Sequence, residues 1–189
     1  MIIVGWGGEP ATGKSTIMKR LMTRFKEEPV PRKYDTLQYL DYEQSRNIIL
    51  GRYPDGQAFG GTDRLPMNVQ PFAEKFLAQR KSEDYTVWFE GDRLFNAKFL
   101  HYIESLSILH HFFAVCARSE VIDQRHSSRD HQNEAWLKGR RTKVKHLINE
   151  FDLPTLFSNS EQDIDLVVDY AVRLHDRIAE KALGDITWN

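Results

Sequence analysis

Short apolar runs alternate along the chain with segments whose apolar residues recur at helical spacing. The runs typical of strands, by their length and by their β-branched and aromatic content, are residues 1–4, 36–40, 85–89, 111–116 and 155–157. Strands that are separated by helices predict a parallel sheet with helices on both faces. The pattern therefore predicts a three-layer α/β fold with a five-stranded parallel sheet.

Helical periodicity appears after most of these strands. The segments with apolar residues three and four apart are 16–26, 66–81, 136–151 and 163–183. Gly184 is the predicted cap of the last one. The pattern predicts that a short helix starts at residues 41–46. It also predicts a long, glycine-rich loop at residues 51–66.

Composition narrows the kind of protein. The chain has 189 residues, 41% of them hydrophobic, which suits one domain over 1–189, and its formal net charge of -1 excludes a broad basic surface. Cys116 is the only cysteine, so an internal disulfide and a cysteine-based zinc site are excluded and a reducing compartment is favoured. No apolar run reaches about 18 residues. We therefore expect a cytoplasmic protein with no membrane partner.

One motif carries specific chemistry. Residues 8–15, Gly-Glu-Pro-Ala-Thr-Gly-Lys-Ser, fit the pattern G-x-x-x-x-G-K-[ST] and lie between a predicted strand and a predicted helix. In such a loop Lys14 reaches the β- and γ-phosphates and Ser15 is a ligand of Mg²⁺. The predicted nucleotide-binding residues of the loop are Gly8, Ala11, Thr12, Gly13, Lys14, Ser15 and Thr16. The motif predicts ATP and Mg²⁺ as cofactors; the alternative is a glycine-rich turn with an incidental lysine.

Three carboxylates follow predicted strands, where ligands of parallel sheets gather. Glu90 and Asp92 end the strand at 85–89 and are predicted to hold Mg²⁺, with Arg93 directed to an acceptor or a phosphate; a solvated turn is the alternative. Asp41 ends the strand at 36–40 and is predicted to accept the proton of an acceptor hydroxyl. A helix N-cap is the competing role for Asp41.

Residues 118–145 contain eight Lys or Arg residues against four acids. Arg118, Arg125 and Arg129 are spaced to share one helix face and are predicted to neutralise charge on a transferred phosphoryl group. Residues 125–140 then form an arginine-bearing lid that excludes water. For residues 138–145 a solvated helix face remains an alternative.

The loop at 51–66 is too long for a simple connection, and we assign it to the acceptor. Tyr53 or Phe59 is expected to stack on a base. The polar residues predicted to contact the acceptor are Arg52, Asp63, Arg64 and Arg93. A structural loop that closes on itself is the alternative.

Together these residues resemble the P-loop kinases of the nucleoside and nucleotide kinase group. The resemblance implies that Ser158 and Asn159 border the ATP base, that Arg118 and Arg125 contact phosphates, and that Glu90 acts on Mg²⁺. The chain departs from the pattern of thymidylate and deoxynucleoside kinases because two residues separate Glu90 from Arg93.

Three segments, 8–15, 61–65 (Gly-Thr-Asp-Arg-Leu) and 89–94 (Phe-Glu-Gly-Asp-Arg-Leu), are similar to small phage kinases that phosphorylate 5-hydroxymethyluracil within DNA. That resemblance implies a DNA base as acceptor, with residues 138–145 along the DNA backbone. Two alternatives remain: a kinase of free nucleosides or nucleoside monophosphates, and an ATPase switch that acts on a protein partner. The lid arginines and the size of the chain disfavour the switch, and no stable protein partner is expected.

Overall fold

The computed structural model of the protein describes residues 1–54, 60–127 and 134–184. Its centre is a sheet whose strands come from both halves of the chain. The strands are β1 (Ile2–Gly8), β2 (Val30–Tyr34), β3 (Leu37–Tyr42), β4 (Asn47–Leu50), β5 (Thr86–Glu90), β6 (Leu109–Cys116) and β7 (Thr155–Phe157).

The strand order is β2-β3-β4-β5-β1-β6-β7. Strands β4, β5, β1, β6 and β7 are mutually parallel, whereas β3 pairs antiparallel with both β2 and β4. The prediction of five strands, all parallel, is therefore wrong: the sheet has seven described strands and is mixed. The hydrophobic pattern did not predict β2, because this edge strand is almost wholly exposed and contains Pro31. It did not predict β4, because that strand is short.

The predicted helix at 41–46 is also wrong, because the chain turns back there from β3 into β4. Arg46 takes a positive φ of 55° in this turn. The side chain of Glu27 accepts the backbone N–H groups of Gln44 and Ser45 at 3.0 and 2.8 Å. The polar run after β3 is thus a hairpin turn, and β3 runs opposite to its predicted direction.

The other predicted helices are confirmed, with shifts of a few residues at their ends. The helices are α1 (Lys14–Met22), α2 (Gln70–Arg80), α3 (Ala97–Ser105), α4 (Ser119–Ser127), α5 (Glu134–Glu150) and α6 (Glu161–Gly184). Thr62–Arg64 adds one turn of 3-10 helix. Sequence analysis missed α3, although Asn96 caps it by accepting the N–H of Phe99 at 3.1 Å.

The sheet is covered on both faces, as predicted, and each face has its own core. Ile3, Val87 and Phe89 pack on one face with residues of α2, α3 and α5. Val4 and Trp88 pack on the other with α1 and α6. Among the described helices, none has the length and apolar content needed to span a membrane.

Candidate active site

The loop between β1 and α1 has the conformation that its glycines predict. Gly13 has a φ of 83° and immediately precedes α1, and Ala11 also takes a positive φ, of 64°. The Nζ of Lys14 donates to the backbone carbonyls of Gly8 and Glu9 at 2.9 and 2.8 Å. The lysine that is predicted to bind phosphates therefore spans the mouth of its own loop.

The outer side of this loop is held by residues from distant parts of the chain. The hydroxyl of Ser158, which is fully buried, donates to the carbonyl of Thr12 at 2.5 Å. Arg125 of α4 donates through Nη1 to the carbonyl of Ala11 at 3.1 Å and through Nη2 to that of Ser158 at 2.7 Å. The turn after β7 and helix α4 thus position the loop.

Glu90, at the carboxyl end of β5, lies beside the start of α1. It is 1% exposed, and its Oε1 accepts the hydroxyl of Ser15 at 2.9 Å and that of Tyr53 at 3.4 Å. Gly61, with a φ of 80°, leaves room for the carboxylate, since a Cβ there would lie 2.1 Å from Oε1. Burial raises the pKa of Glu90 to about 7, although Lys14 opposes the shift.

A cavity of about 670 Å³ opens over these groups. One wall is the phosphate loop, from Pro10 to Thr16. A second wall comes from residues between Gly60 and Met67 and a third from residues between Glu90 and Asn96. Helix α5 closes the remaining side with Trp136, Arg140 and Lys143.

Two basic side chains of helix α5 face the cavity. Arg140 lies 3.1 Å from the carboxylate of Asp92, and the Nζ of Lys143 donates to the backbone carbonyl of Asp92 at 3.0 Å. Burial lowers the pKa of Lys143, and Asp92 opposes the shift. The next residue after Arg140, Arg141, pairs with Glu9 of the phosphate loop at 2.8 Å. Residues 138–145 are therefore not a uniformly solvated face.

Asp63 and Arg93 both line the cavity and are joined by two hydrogen bonds. The backbone N–H of Arg93 donates to Oδ1 of Asp63 at 3.0 Å, and Nη2 of Arg93 donates to the carbonyl of Asp63 at 3.2 Å. Gly91, with a φ of 104°, lets the carboxylate come close, since a Cβ there would lie 3.1 Å from its Cγ. Desolvation and the nearby charge of Asp92 raise the pKa of Asp63, which is still partly open to solvent.

Asp41 is not part of this arrangement, and its predicted placement is corrected. Because β3 is antiparallel to β4, the carboxyl end of β3 lies at the sheet edge opposite the phosphate loop. The side chain of Asp41 is 6% exposed and pairs with Arg32 of β2 at 2.8 Å. Burial raises its pKa, and Arg32 opposes the shift. It lines a separate, more open groove beside Arg80 of α2.

The predicted acceptor loop is only partly at the cavity. Asp63 and Arg64 line it, whereas Tyr53 is partly buried against the core that packs with α1 and α6 and is not among the residues that line the cavity, so its stacking on a base stays a prediction. Arg52 is exposed, pairs through its backbone with Gly61 and is not among the residues that line the described cavity. Phe59 lies outside the described residues.

Some of the residues predicted to contact phosphates or the ATP base lie near the phosphate loop, and one lies outside the described residues. Arg118 precedes α4, and its N–H donates to Oδ1 of Asn159 at 2.7 Å, which joins the two segments predicted to border the nucleotide. Arg129, and with it the centre of the predicted lid at 125–140, lies outside the described residues. The lid therefore stays a prediction, of which Arg125 is the described part in contact with the phosphate loop.

The donors near the loop are of the type that Mg²⁺ requires. Ser15 and Glu90 bring a hydroxyl and a carboxylate oxygen within 2.9 Å of each other, and Mg²⁺ takes such oxygens together with substrate phosphates. Within the described residues no group of three or more His, Cys, Asp or Glu side chains forms a metal site without a substrate. Asp92 is turned toward Arg140, which leaves Glu90 as the better placed of the two predicted carboxylate ligands.

Sequence reasoning missed several residues that line the cavity, namely Met67, Asn96, Trp136, Arg140 and Lys143. The last two were part of the basic run, and a signal for them was present. They lie next to Val144 and Leu147, the buried residues of α5, at spacings that place all four near one side of the helix. For Met67 and Trp136 the sequence carries no comparable signal.

A strand, a phosphate loop, a helix and a neighbouring strand that ends in a buried acid define a P-loop nucleotide-binding protein. The chain belongs to the P-loop Nucleotide Kinase3 family, whose model matches residues 2–161. The predicted enzyme class is thereby confirmed: the protein is a kinase of this family. Among curated protein sequences we found no match.

Solved structures with a similar fold are distant in sequence. A sugar kinase from Janibacter sp. HTCC2649 has 14% identity and a TM-score of 0.50, with 93% of this chain and 95% of that chain covered. A gluconokinase from Sinorhizobium meliloti 1021 has 13% identity and a TM-score of 0.50, with 96% and 95% covered. Deoxyadenosine kinase from M. mycoides with bound dATP has 12% identity and a TM-score of 0.44, with 93% and 100% covered. These similarities concern the fold alone.

Proposed function

We propose that the protein transfers the γ-phosphate of ATP, with Mg²⁺, to the hydroxyl group of an acceptor bound between the phosphate loop and Asp63. The observation that carries the proposal is that one cavity is lined by Lys14, by the Ser15–Glu90 pair and by the Asp63–Arg93 pair. The first two are the groups that hold a triphosphate and its metal. The third places a carboxylate and a guanidinium at the same cavity.

In this proposal the acceptor oxygen forms a bond to the γ-phosphorus while the bond from that phosphorus to the bridging oxygen of ADP breaks. The acceptor proton goes to Asp63, whose Oδ1 accepts from Arg93 and whose Oδ2 has no hydrogen-bond partner among the described residues. Asp63 therefore takes the role first assigned to Asp41. Ser15 and Glu90 would hold Mg²⁺, which would neutralise phosphate charge.

Three basic side chains near the phosphate loop supply the positive charge of the proposed site. Lys14 exchanges the carbonyls of Gly8 and Glu9 for phosphate oxygens. Arg140 and Lys143, now paired with Asp92, face the same cavity and are placed to neutralise the transferred group. Phosphoryl transfer depends mainly on such alignment and charge stabilisation.

For the acceptor we propose the hydroxymethyl group of 5-hydroxymethyluracil in DNA. Two apolar side chains with exposed surface stand at the cavity, Met67, which is 84% exposed, and Trp136, which is 41% exposed. Such surfaces suit the faces of a base that has left its stack. Lys138 and Lys145 are exposed on α5 and supply local positive charge for a DNA backbone.

The proposal is tested by incubating the protein with Mg²⁺ and γ-labelled ATP in the presence of one acceptor at a time. The acceptors are DNA that contains 5-hydroxymethyluracil, the same DNA with thymine, and free nucleosides and monophosphates. We expect label only on the hydroxymethylated DNA. Label on a free nucleoside or nucleotide instead would overturn the DNA acceptor and leave the kinase class intact.

Lys14→Ala is the variant that ties the label to this site. It should lower transfer by a factor of about 10²–10³ with little change in thermal stability, since one electrostatic donor of this kind contributes about that much. Lys33→Ala, an equal loss of charge on the exposed edge strand β2, is the matched control and should transfer normally. Transfer by Lys14→Ala at the normal rate would place the reaction elsewhere.

A further inference from the structure

Glu9 joins the phosphate loop to helix α5. Its carboxylate, in a side chain that is 20% exposed, accepts from Nε of Arg141 at 2.8 Å. Its backbone carbonyl accepts from Nζ of Lys14 at 2.8 Å and from the hydroxyl of Thr12 at 2.9 Å. One residue of the loop is therefore in contact both with the lysine that is proposed to bind phosphates and with the helix that closes one side of the cavity.

The half of α5 that makes this contact has little support from the core. Among the described residues of the helix the first buried side chain is Val144, and residues 135–143 are exposed or half-buried. Gly139 lies in this half and weakens it, because glycine loses more backbone entropy in a helix than other residues do. The position of residues 135–143 therefore depends on their polar contacts.

Two of those contacts go to different loops. Arg140 pairs with Asp92 after β5 at 3.1 Å, and Arg141 pairs with Glu9 after β1. Consecutive residues of a helix point about 100° apart, so they reach different partners. In the proposed reaction Arg140 exchanges Asp92 for the transferred group, whereas neither Glu9 nor Arg141 is among the residues that line the described cavity. The contact of Arg141 with Glu9 can therefore persist while substrate is bound.

We infer that Glu9 and Arg141 are positioning residues, whose ion pair ties α5 to the phosphate loop and so places Arg140 and Lys143 for the transferred group. The inference rests on the proposed function, which gives those two cations their role. An ion pair as exposed as this one contributes little to folding. A misplacement of about 1 Å in an aligned site, in contrast, can lower the rate by about a hundredfold. The pair should therefore affect the rate much more than the stability.

The first measurement is amide hydrogen exchange, which does not require turnover. Glu9→Gln and Arg141→Gln should each speed exchange in residues 135–143 by about twofold to fivefold, the change that loss of an exposed ion pair gives to a local opening. Residues 144–150, which are anchored by Val144 and Leu147, should keep the native rates. Unchanged exchange in 135–143 in both variants would overturn the inference.

The second measurement is a double-variant cycle on kcat, with the acceptor that takes label in the assay described above. Glu9→Gln and Arg141→Gln should each lower kcat by about fivefold to fiftyfold, and the KM for ATP should stay close to the native value. Because the two residues act through each other, the double variant should be no slower than the slower single variant. Arg141→Lys keeps the positive charge and should restore most of the rate that Arg141→Gln loses.

Arg24→Gln is the matched control. Arg24 pairs with Asp169 of α6 at 2.9 Å on the surface, so this variant loses an ion pair elsewhere and should change neither measurement. Native kcat in both single variants, or losses that multiply in the double variant, would overturn the inference while the proposed function stands. Absence of transfer by the native protein to any acceptor would overturn the proposed function, and with it the role of the pair, even if exchange in 135–143 responds as expected.

Discussion

At the scale of single residues, the site depends on polar groups kept out of water. Glu90 is the clearest example, because the carboxylate lies under Gly61 and receives hydroxyl donors from Ser15 and Tyr53. Its pKa of about 7 reflects burial that these donors and Lys14 only partly offset. The charged form of Glu90 is therefore costly in the protein without a bound cation.

The first prediction concerns the free-energy cost of ionising the buried side chain of Glu90. Since the pKa of Glu90 is raised from 4.5 to about 7 on folding, the native protein binds more protons than the unfolded chain between these values. Its free energy of unfolding should therefore fall as pH rises from about 4.5 to 7, by up to about 3 kcal/mol from this group. Chemical denaturation without metal or nucleotide, repeated across this pH range, measures the slope.

Glu90→Gln should flatten that slope, because the amide does not titrate. Glu120→Gln removes a carboxylate from the exposed first turn of α4 and should keep the native slope. In activity measurements Glu90→Gln should also raise the Mg²⁺ concentration needed for half-maximal transfer. An unchanged slope in Glu90→Gln would show that the carboxylate is not desolvated in solution.

At the scale of elements, the two sides of helix α5 lie in different environments. Arg140 and Lys143 face the cavity and Asp92, and Val144 and Leu147 are buried against the sheet. Lys138 and Lys145 are exposed to solvent. The same stretch of basic sequence thus has two environments, which should be separable by mutation.

The second prediction compares two double variants of equal charge. Arg140→Ala with Lys143→Ala should lower the transfer rate by about tenfold or more, since both cations line the cavity. Lys138→Ala with Lys145→Ala should change DNA binding instead, with the slope of log affinity against log salt concentration reduced by about two. Equal effects of the two pairs on transfer rate would contradict the division of the helix.

The third prediction uses the glycine inside α5. Gly139 lies within the helix, and a Cβ placed there would meet nothing within 4 Å. Gly139→Ala should therefore stabilise the isolated protein by about 0.5–1 kcal/mol through helix propensity alone, seen as a rise of about 1–4 °C in the thermal midpoint. A fall in the midpoint would mean that this side of the helix is covered in solution.

At the scale of the whole molecule, strand direction decides which acids meet the nucleotide. The parallel strands β1 and β5 bring the phosphate loop and Glu90 to one edge of the sheet. The reversed strand β3 takes Asp41 to the other edge, where it pairs with Arg32. Two acids that each follow a predicted strand, Glu90 and Asp41, therefore have different surroundings.

The fourth prediction follows from that topology. Asp63→Asn should lower kcat by about 10²–10⁴, the range of a lost general base, with a small effect on ATP binding. Asp41→Asn, the same chemical change at the far edge, should keep kcat within about twofold of native. Steady-state kinetics with the preferred acceptor measures both, and the reverse order of effects would return the proton-accepting role to Asp41.

The sequence by itself determined the parts of this protein that are contiguous in the chain. The phosphate loop at 8–15, the acid after the strand at 85–89 and the longer amphipathic helices were predicted, because a local motif or a local periodicity encodes each of them. The alternation of strands and helices also predicted the three layers of the fold, a sheet with helices on both faces. In these cases the neighbours that matter are only a few residues away.

Only the tertiary structure decided the relations between distant segments. The hairpin of β3 and β4 reversed a strand that periodicity cannot orient, and pairing with Asp92 turned two cations of α5 inward. The hydroxyl of Tyr53 reached Glu90 from a loop assigned to the acceptor. Strand order and the partner of a side chain depend on segments that are far apart in the chain. The spacing of residues can place Arg140 and Lys143 on the buried side of α5, but it cannot identify Asp92 as their partner.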